Sequence, residues 1–192
     1  MFRPTAQGID DMGREVRMIK PGWEHPRRPG NRADGTPRYR GLMAGPFSQA
    51  LADWEQGREK WEAGLEEDWA PELDQEGNKR WKPLEHAHQA MTWEEWYSAR
   101  PQAEDYMPEW EPGEATLLVM YENTSEGTPI SPGFETPEAL ARWLADNRAS
   151  AFGDMTASYE EWLVTCRAGW SVGAVIMPGA GMISGVAAWK VA

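Results

Sequence analysis

Twelve tryptophans occur in a chain of 192 residues, and most of them stand beside carboxylates. Asp53-Trp54-Glu55, Lys60-Trp61-Glu62, Asp68-Trp69, Trp93-Glu94-Glu95-Trp96 and Glu109-Trp110-Glu111 run through the middle third. An indole combines a large apolar body with a single N–H donor, so it belongs in a core or an interface. Carboxylates beside it keep the outer face wet. The pattern predicts a folded, water-soluble protein whose function is to meet a partner.

Composition narrows the class. Hydrophobic residues make up 41%, above the range of disordered chains. Fifteen prolines and nineteen glycines predict many turns. No apolar run reaches the length of a membrane span, and the first residues lack an apolar signal core. The expectation is a cytosolic protein with no membrane contact. Cys166 is the only cysteine, which excludes an internal disulfide and a cysteine-based zinc ribbon. It reads as a small buried hydrophobe near a helix end.

Charge is unevenly spread. Residues 1–46 hold nine Lys/Arg against five Asp/Glu, residues 47–113 six against seventeen, and residues 114–192 four against nine. A basic arm is thus joined to an acidic body. Such asymmetry marks either a phosphate-gripping arm or an acidic face that meets a basic partner. An arm folded back on its own acidic body is the plain alternative.

The expected fold class is α+β. Residues 1–46 read as a basic irregular arm rich in turn signals, with a short helix or strand within Ile9 to Ile19. Residues 47–113 read as an acidic, Trp-rich helical region and linker. Phe47, Leu51, Trp54, Trp61, Leu65 and Trp69 recur at about 3.6 residues and predict a long amphipathic helix over 47–69. Gly57 and Gly64 weaken it by roughly 1 kcal/mol each relative to Ala. Residues 70–91 read as a polar connection. Thr92-x-x-Glu95 is a capping box that opens a short helix to about Ala99, and residues 100–113 read as a Pro- and acid-rich linker. Residues 114–192 read as a compact module, a small antiparallel sheet with two helices. Ala115–Tyr121 is its strand. Thr136 and Pro137 start a helix that ends near Asn147. Ser158-x-x-Glu161 starts another. Val172–Met177 and Met182–Trp189 make a hairpin.

Chemistry is thinly signalled. His86-x-His88 has the spacing of two ligands on one strand face, with Glu85 adjacent but no third ligand nearby in sequence, so solvated loop histidines are expected and no metal. His25 lies among Pro and Arg without an evident partner. The chain lacks a nucleophile elbow and a P-loop lysine. Gly179-Ala180-Gly181 is a turn between strands and no dinucleotide cradle. Adjacent carboxylates on a helix diverge by about 100° and make solvated faces, not an acid/base dyad. No catalytic residue and no cofactor are expected.

Two binding surfaces remain. Glu55 to Glu76 holds nine acids against two bases, so Glu55, Glu59, Glu62, Glu66, Glu67 and Asp68 form the candidate acidic face. The loop residues Tyr121, Glu122, Ser125, Glu126, Ile130, Ser131 and Phe134 join them as candidate partner contacts, although this loop equally reads as a cover for the sheet end. In the arm, Arg27, Arg28, Arg32, Arg38 and Arg40, with Tyr39 among them, are placed to grip phosphates and stack a base.

The blocks Asp105-Tyr106-Met107-Pro108-Glu109-Trp110, Tyr121-Glu122-Asn123-Thr124-Ser125-Glu126-Gly127-Thr128-Pro129-Ile130-Ser131-Pro132 and Glu138-Ala139-Leu140-Ala141-Arg142-Trp143-Leu144 resemble a family of uncharacterised proteins encoded by tailed bacteriophages and prophages. Ala151-Phe152-Gly153 and Ile183-Ser184-Gly185-Val186 extend the resemblance, which covers about residues 47–188. Some members of that family carry Cys-rich metal-binding spacings upstream of this block. This chain has none, so the resemblance implies no zinc. It implies a phage accessory protein acting on a bacterial host protein or complex. Inhibition of a nucleic-acid-guided antiviral defence, anti-CRISPR in kind, would suit the acidic body. The alternatives are a nucleic-acid-associated factor that uses the arginine arm, and a minor virion component.

Overall fold

The computed structural model describes residues 13–33, 35–68, 79–123, 127–177 and 181–188. In chain order the elements are β1 (Gly13–Ile19), β2 (Arg27–Asn31), β3 (Pro37–Tyr39), α1 (Phe47–Glu62), β4 (Leu65–Glu67), β5 (Trp81–Pro83) and α2 (Trp93–Trp96). A 3₁₀ turn at Ala103–Asp105 follows, then β6 (Leu117–Glu122), β7 (Thr128–Pro129), α3 (Pro137–Asp146), α4 (Tyr159–Ala168), β8 (Trp170–Val172), β9 (Ala174–Met177), β10 (Gly181–Ser184) and α5 (Gly185–Ala188). The fold is α+β. None of the described helices is long and apolar enough to cross a membrane. The chain divides into two compact units, one whose described residues lie within 13–44 and 110–188, the other within 45–109.

The first unit is built on a four-stranded antiparallel sheet in the order β7-β6-β1-β8. The segment expected as an irregular arm therefore contributes a central strand, β1, paired with β6 from Arg14↔Glu122 to Ile19↔Leu117. Side chains alternate across the sheet. Val16, Leu118 and Met120 pack against Leu140, Ala141 and Leu144 of α3 and Trp162 and Cys166 of α4. Burying each leucine of α3 stabilises the unit by roughly 2 kcal/mol. The Thr136 hydroxyl accepts from the Ala139 N–H at 3.2 Å, and Pro137 opens the helix, as its sequence predicts. Ser158 and Glu161 form the expected capping box. Gly169, at φ 87°, closes α4 in the left-handed region open to glycine and releases the chain into β8.

A further expectation for this unit is corrected. The strand expected over Met182–Trp189 is β10 only as far as Ser184, and α5 follows it. The loop after β6 is tied to the sheet: Leu118 bridges to Phe134, and the Met120 N–H donates to the Ser131 hydroxyl at 2.9 Å.

The second unit is an indole cluster. Trp54 and Trp61 of α1 close on Trp93 of α2, with Leu84, Met91, Trp96 and Tyr97 around them. Trp93 stacks on Tyr97 with centroids 4.5 Å apart and planes 7° from parallel. The Trp54 indole N–H donates to the Ser98 carbonyl at 3.0 Å. Gly57 makes the cluster fit, because a Cβ there would lie 2.5 Å from Trp93 Cζ2. It is a packing residue as well as a weak helix former. The helix ends at Glu62 and not at residue 69. Gly64 has φ 80°, so it serves the turn after the helix, and Leu65–Glu67 leave as β4 to pair with β5. The polar connection expected over 70–91 thus contains a strand, and the short helix opened by Thr92 ends at Trp96. Trp69 lies outside the described residues.

Candidate functional site

The β2–β3 hairpin carries the arginines singled out in the sequence. Arg27 pairs with Tyr39 and Asn31 with Pro37, with a register shift between them. The Arg32 N–H donates to the Thr36 carbonyl at 2.8 Å across the turn. Every residue of β2 is exposed, as are Arg32 and Arg38, whereas Tyr39 and Arg40 are half-buried. Arg28 and Arg38 stand next to the paired Arg27 and Tyr39, within the irregular stretch of the hairpin.

The base of this hairpin is pinned to the sheet face away from the helices. His25 is buried. Its Nε2–H donates to the Arg40 carbonyl, and its Nδ1 accepts from the Tyr121 hydroxyl at 3.1 Å. The Arg40 N–H returns a bond to the Pro26 carbonyl at 2.9 Å. Tyr39 packs edge-on against the imidazole at 5.4 Å, and Trp23 does so at 5.6 Å. Beside them the Arg17 guanidinium lies over the Tyr121 ring at 4.5 Å. It bonds Glu15 at 2.9 Å and the Leu42 carbonyl at 2.6 Å. Burial, with a smaller push from Arg17, holds the His25 imidazole below its ordinary value despite the Arg40 carbonyl. Burial also raises the Tyr121 phenol. The site is a fixed base carrying a charged rim.

Among the described residues, none of Arg27, Arg28, Arg32 and Arg38 has a carboxylate within ion-pair distance. The positive charge of the rim is therefore not consumed by the described parts of the chain itself.

The acidic face is more divided than its sequence suggests. Glu59 and Glu62 are exposed, with Arg58 3.7 Å from Glu62. Glu55 pairs with Arg100 at 3.0 Å. Glu66 and Glu67 are buried; Glu66 meets Lys82 at 3.1 Å and His88 at 2.6 Å, and Glu67 meets Lys79 at 3.2 Å. Asp68 is half-buried and has a polar or charged neighbour of its own. A spaced, open row of six carboxylates is not what this stretch presents.

The loop candidates are mostly inward. Tyr121 is fully buried and Glu122 half-buried. Ile130 and Phe134 pack on the helix core, Phe134 against Trp143 at 6.1 Å, and Ser131 bonds the sheet. Ser125 and Glu126 lie outside the described residues. Sequence reading missed the role of His25, whose partners are 15 and 96 positions away. It also missed the meeting of Glu66 with His88, 22 positions apart. Cys166 is buried, and burial, with Glu138 nearby, pushes its thiol up to about 12, which removes it as a nucleophile at neutral pH. His86 is exposed, as expected for a loop histidine.

No family model, no curated protein and no solved structure matches the chain.

Proposed function

We propose that the protein is a binding protein that grips the phosphate backbone of a nucleic acid through the β2–β3 hairpin. The observation that carries this reading is the set of four exposed guanidiniums, Arg27, Arg28, Arg32 and Arg38, without a carboxylate partner among the described residues, in a chain of net charge -12. Guanidiniums favour phosphate because their planar donor fork matches two oxygens at once. A two-stranded ribbon is also narrow enough to enter a major groove of about 12 Å. The acidic remainder repels nucleic acid, so the contact is local and strongly weakened by salt. In the phage setting that the sequence resemblance implies, such a protein would work on nucleic acid in a bacterial cytoplasm.

An acidic surface that meets a basic host protein ranks second. Glu59 and Glu62 favour it, while the inward, paired positions of Glu66 and Glu67 count against it.

The test is fluorescence anisotropy of labelled duplex and single-stranded oligonucleotides at low salt. The four-site Arg→Gln variant of the hairpin changes only exposed side chains and should keep the fold. Binding by the native chain and its loss in the variant are expected. Equal binding by both chains, or none by the native chain, would overturn the proposal.

A further inference from the structure

A second feature, in the other unit, is independent of the hairpin. Glu66 lies in the middle of β4, directly opposite Lys82 of β5. Beyond β5 the chain turns sharply, with the His88 N–H donating to the Glu85 carbonyl at 2.9 Å and the Met91 N–H to the His88 carbonyl at 2.9 Å. That turn brings Glu85 and His88 over Glu66. One ligand atom from each of Glu66, Glu85 and His88 lies within 4.8 Å of the other two. The Lys82 ammonium occupies the same place, bonded to Glu66 at 3.1 Å and to Glu85 at 2.5 Å. The His88 Nδ1–H donates to Glu66 at 2.6 Å, and the Glu85 N–H approaches the same oxygen at 3.3 Å.

Three facts point beyond a structural ion pair. Glu66 is 1% exposed, and Lys82, His88 and the Glu85 N–H converge on its two oxygens. Two carboxylates, Glu66 and Glu85, share one ammonium. Lys82 is 38% exposed, so its flexible stem has a path into water. An imidazole and two carboxylates around one cation make a donor set that suits a borderline divalent metal.

We propose that Glu66, Glu85 and His88 form a reversible site for a divalent transition-metal ion of the zinc type, which Lys82 occupies until the metal displaces it. On binding, the proton on His88 Nδ1 passes to water, Nε2 carries the one proton of the neutral ring so that Nδ1 becomes a ligand, and the Lys82 ammonium moves to solvent with its charge retained. Binding therefore depends on pH, because a ligand nitrogen must be free of its proton.

The experiment is isothermal titration of the full chain with Zn²⁺ alone, with melting curves of every variant taken without metal. One Zn²⁺ per chain is expected. Glu85→Gln and His88→Ala should each weaken binding by at least about tenfold. Glu85 is 53% exposed, so its substitution leaves the fold standing and decides the matter if another variant unfolds. Lys82→Met removes the competitor and should tighten binding about tenfold. A purely structural Lys82 would lower the melting temperature on removal without tightening. Absence of saturable binding, native-like binding by Glu85→Gln, or unchanged or weaker binding by Lys82→Met would each overturn the proposal.

Discussion

The Tyr121 hydroxyl lies 3.1 Å from Nδ1 of His25, which ties a strand of the sheet to a buried imidazole. The other nitrogen, Nε2, donates to the Arg40 carbonyl at the foot of the β2–β3 hairpin. That carbonyl can only accept, so it keeps the proton of the neutral imidazole on Nε2, while the Tyr121 hydroxyl can donate or accept. Burial and the nearby Arg17 oppose the charged form.

A pH dependence results. The unfolded imidazole takes up its proton near pH 6.5, and the folded one does so only at lower pH. Between these two values the unfolded chain binds more protons, so stability rises with pH there. The contribution of His25 is fully present above about pH 6.5 and is lost as pH falls from that value towards the folded one. Denaturant titrations at a series of pH values should show this slope, and His25→Gln should flatten it.

Tyr121→Phe removes the hydrogen-bond partner of Nδ1. It should cost about 1 kcal/mol, the net worth of one buried hydrogen bond, read by denaturant titration at pH 7. Unchanged stability would show that this bond does not hold the hairpin base to the sheet.

Gly57→Ala separates packing from helix propensity. Alanine in a free helix would stabilise it by about 1 kcal/mol. Here the new Cβ would lie 2.5 Å from Trp93 Cζ2, and overpacking costs about 1–3 kcal/mol. A net loss of about 1 kcal/mol is expected by denaturant titration, with a weakened near-ultraviolet circular dichroism signal from the Trp93–Tyr97 stack. A more stable variant would show that the indole cluster is loose.

Glu109 serves α1 from 61 residues away. Pro46 leaves the helix without a side-chain cap. The Glu109 carboxylate accepts from the Ser48 N–H and hydroxyl, each at 2.9 Å, and places a negative charge at the helix N-terminus. Those bonds, the backbone one foremost, hold its carboxyl below the usual range. This stabilisation is present above the ordinary carboxyl value and fades as pH falls through the lowered one. Glu109→Ala should lower the melting temperature at pH 7, and the gap to the native chain should narrow in acid.

Local signals in the sequence located what local chemistry decides. Thr136-Pro137 and Ser158-x-x-Glu161 started helices where they should, because a cap and its donors lie within three positions. Trp54 and Trp61 marked the buried stripe of α1 for the same reason. The end of that helix was missed because Leu65 and Glu66 continue its period while their backbone pairs with β5, a tertiary preference that overrides local pattern. β1 was legible only as a short helix or strand within Ile9 to Ile19, and its arginines hid its central place in the sheet. Arg14 and Arg17 are buried and satisfied by partners such as Ser150 and Leu42, which no window of the sequence contains. The arginines of the hairpin were legible as a basic cluster, but only the fold shows four of them exposed on a ribbon. Glu66 and His88 were read as parts of different features, and the strand pairing joins them.

The central claim is that the hairpin arginines bind phosphate, and the salt dependence of nucleic-acid affinity tests it most directly. Each phosphate neutralised on duplex DNA contributes about 0.9 to the slope of log K against log salt. The native chain should give a slope steeper than that of the Arg27/Arg28/Arg32/Arg38→Gln variant by about 3 to 4. Identical slopes for the two chains would contradict the account.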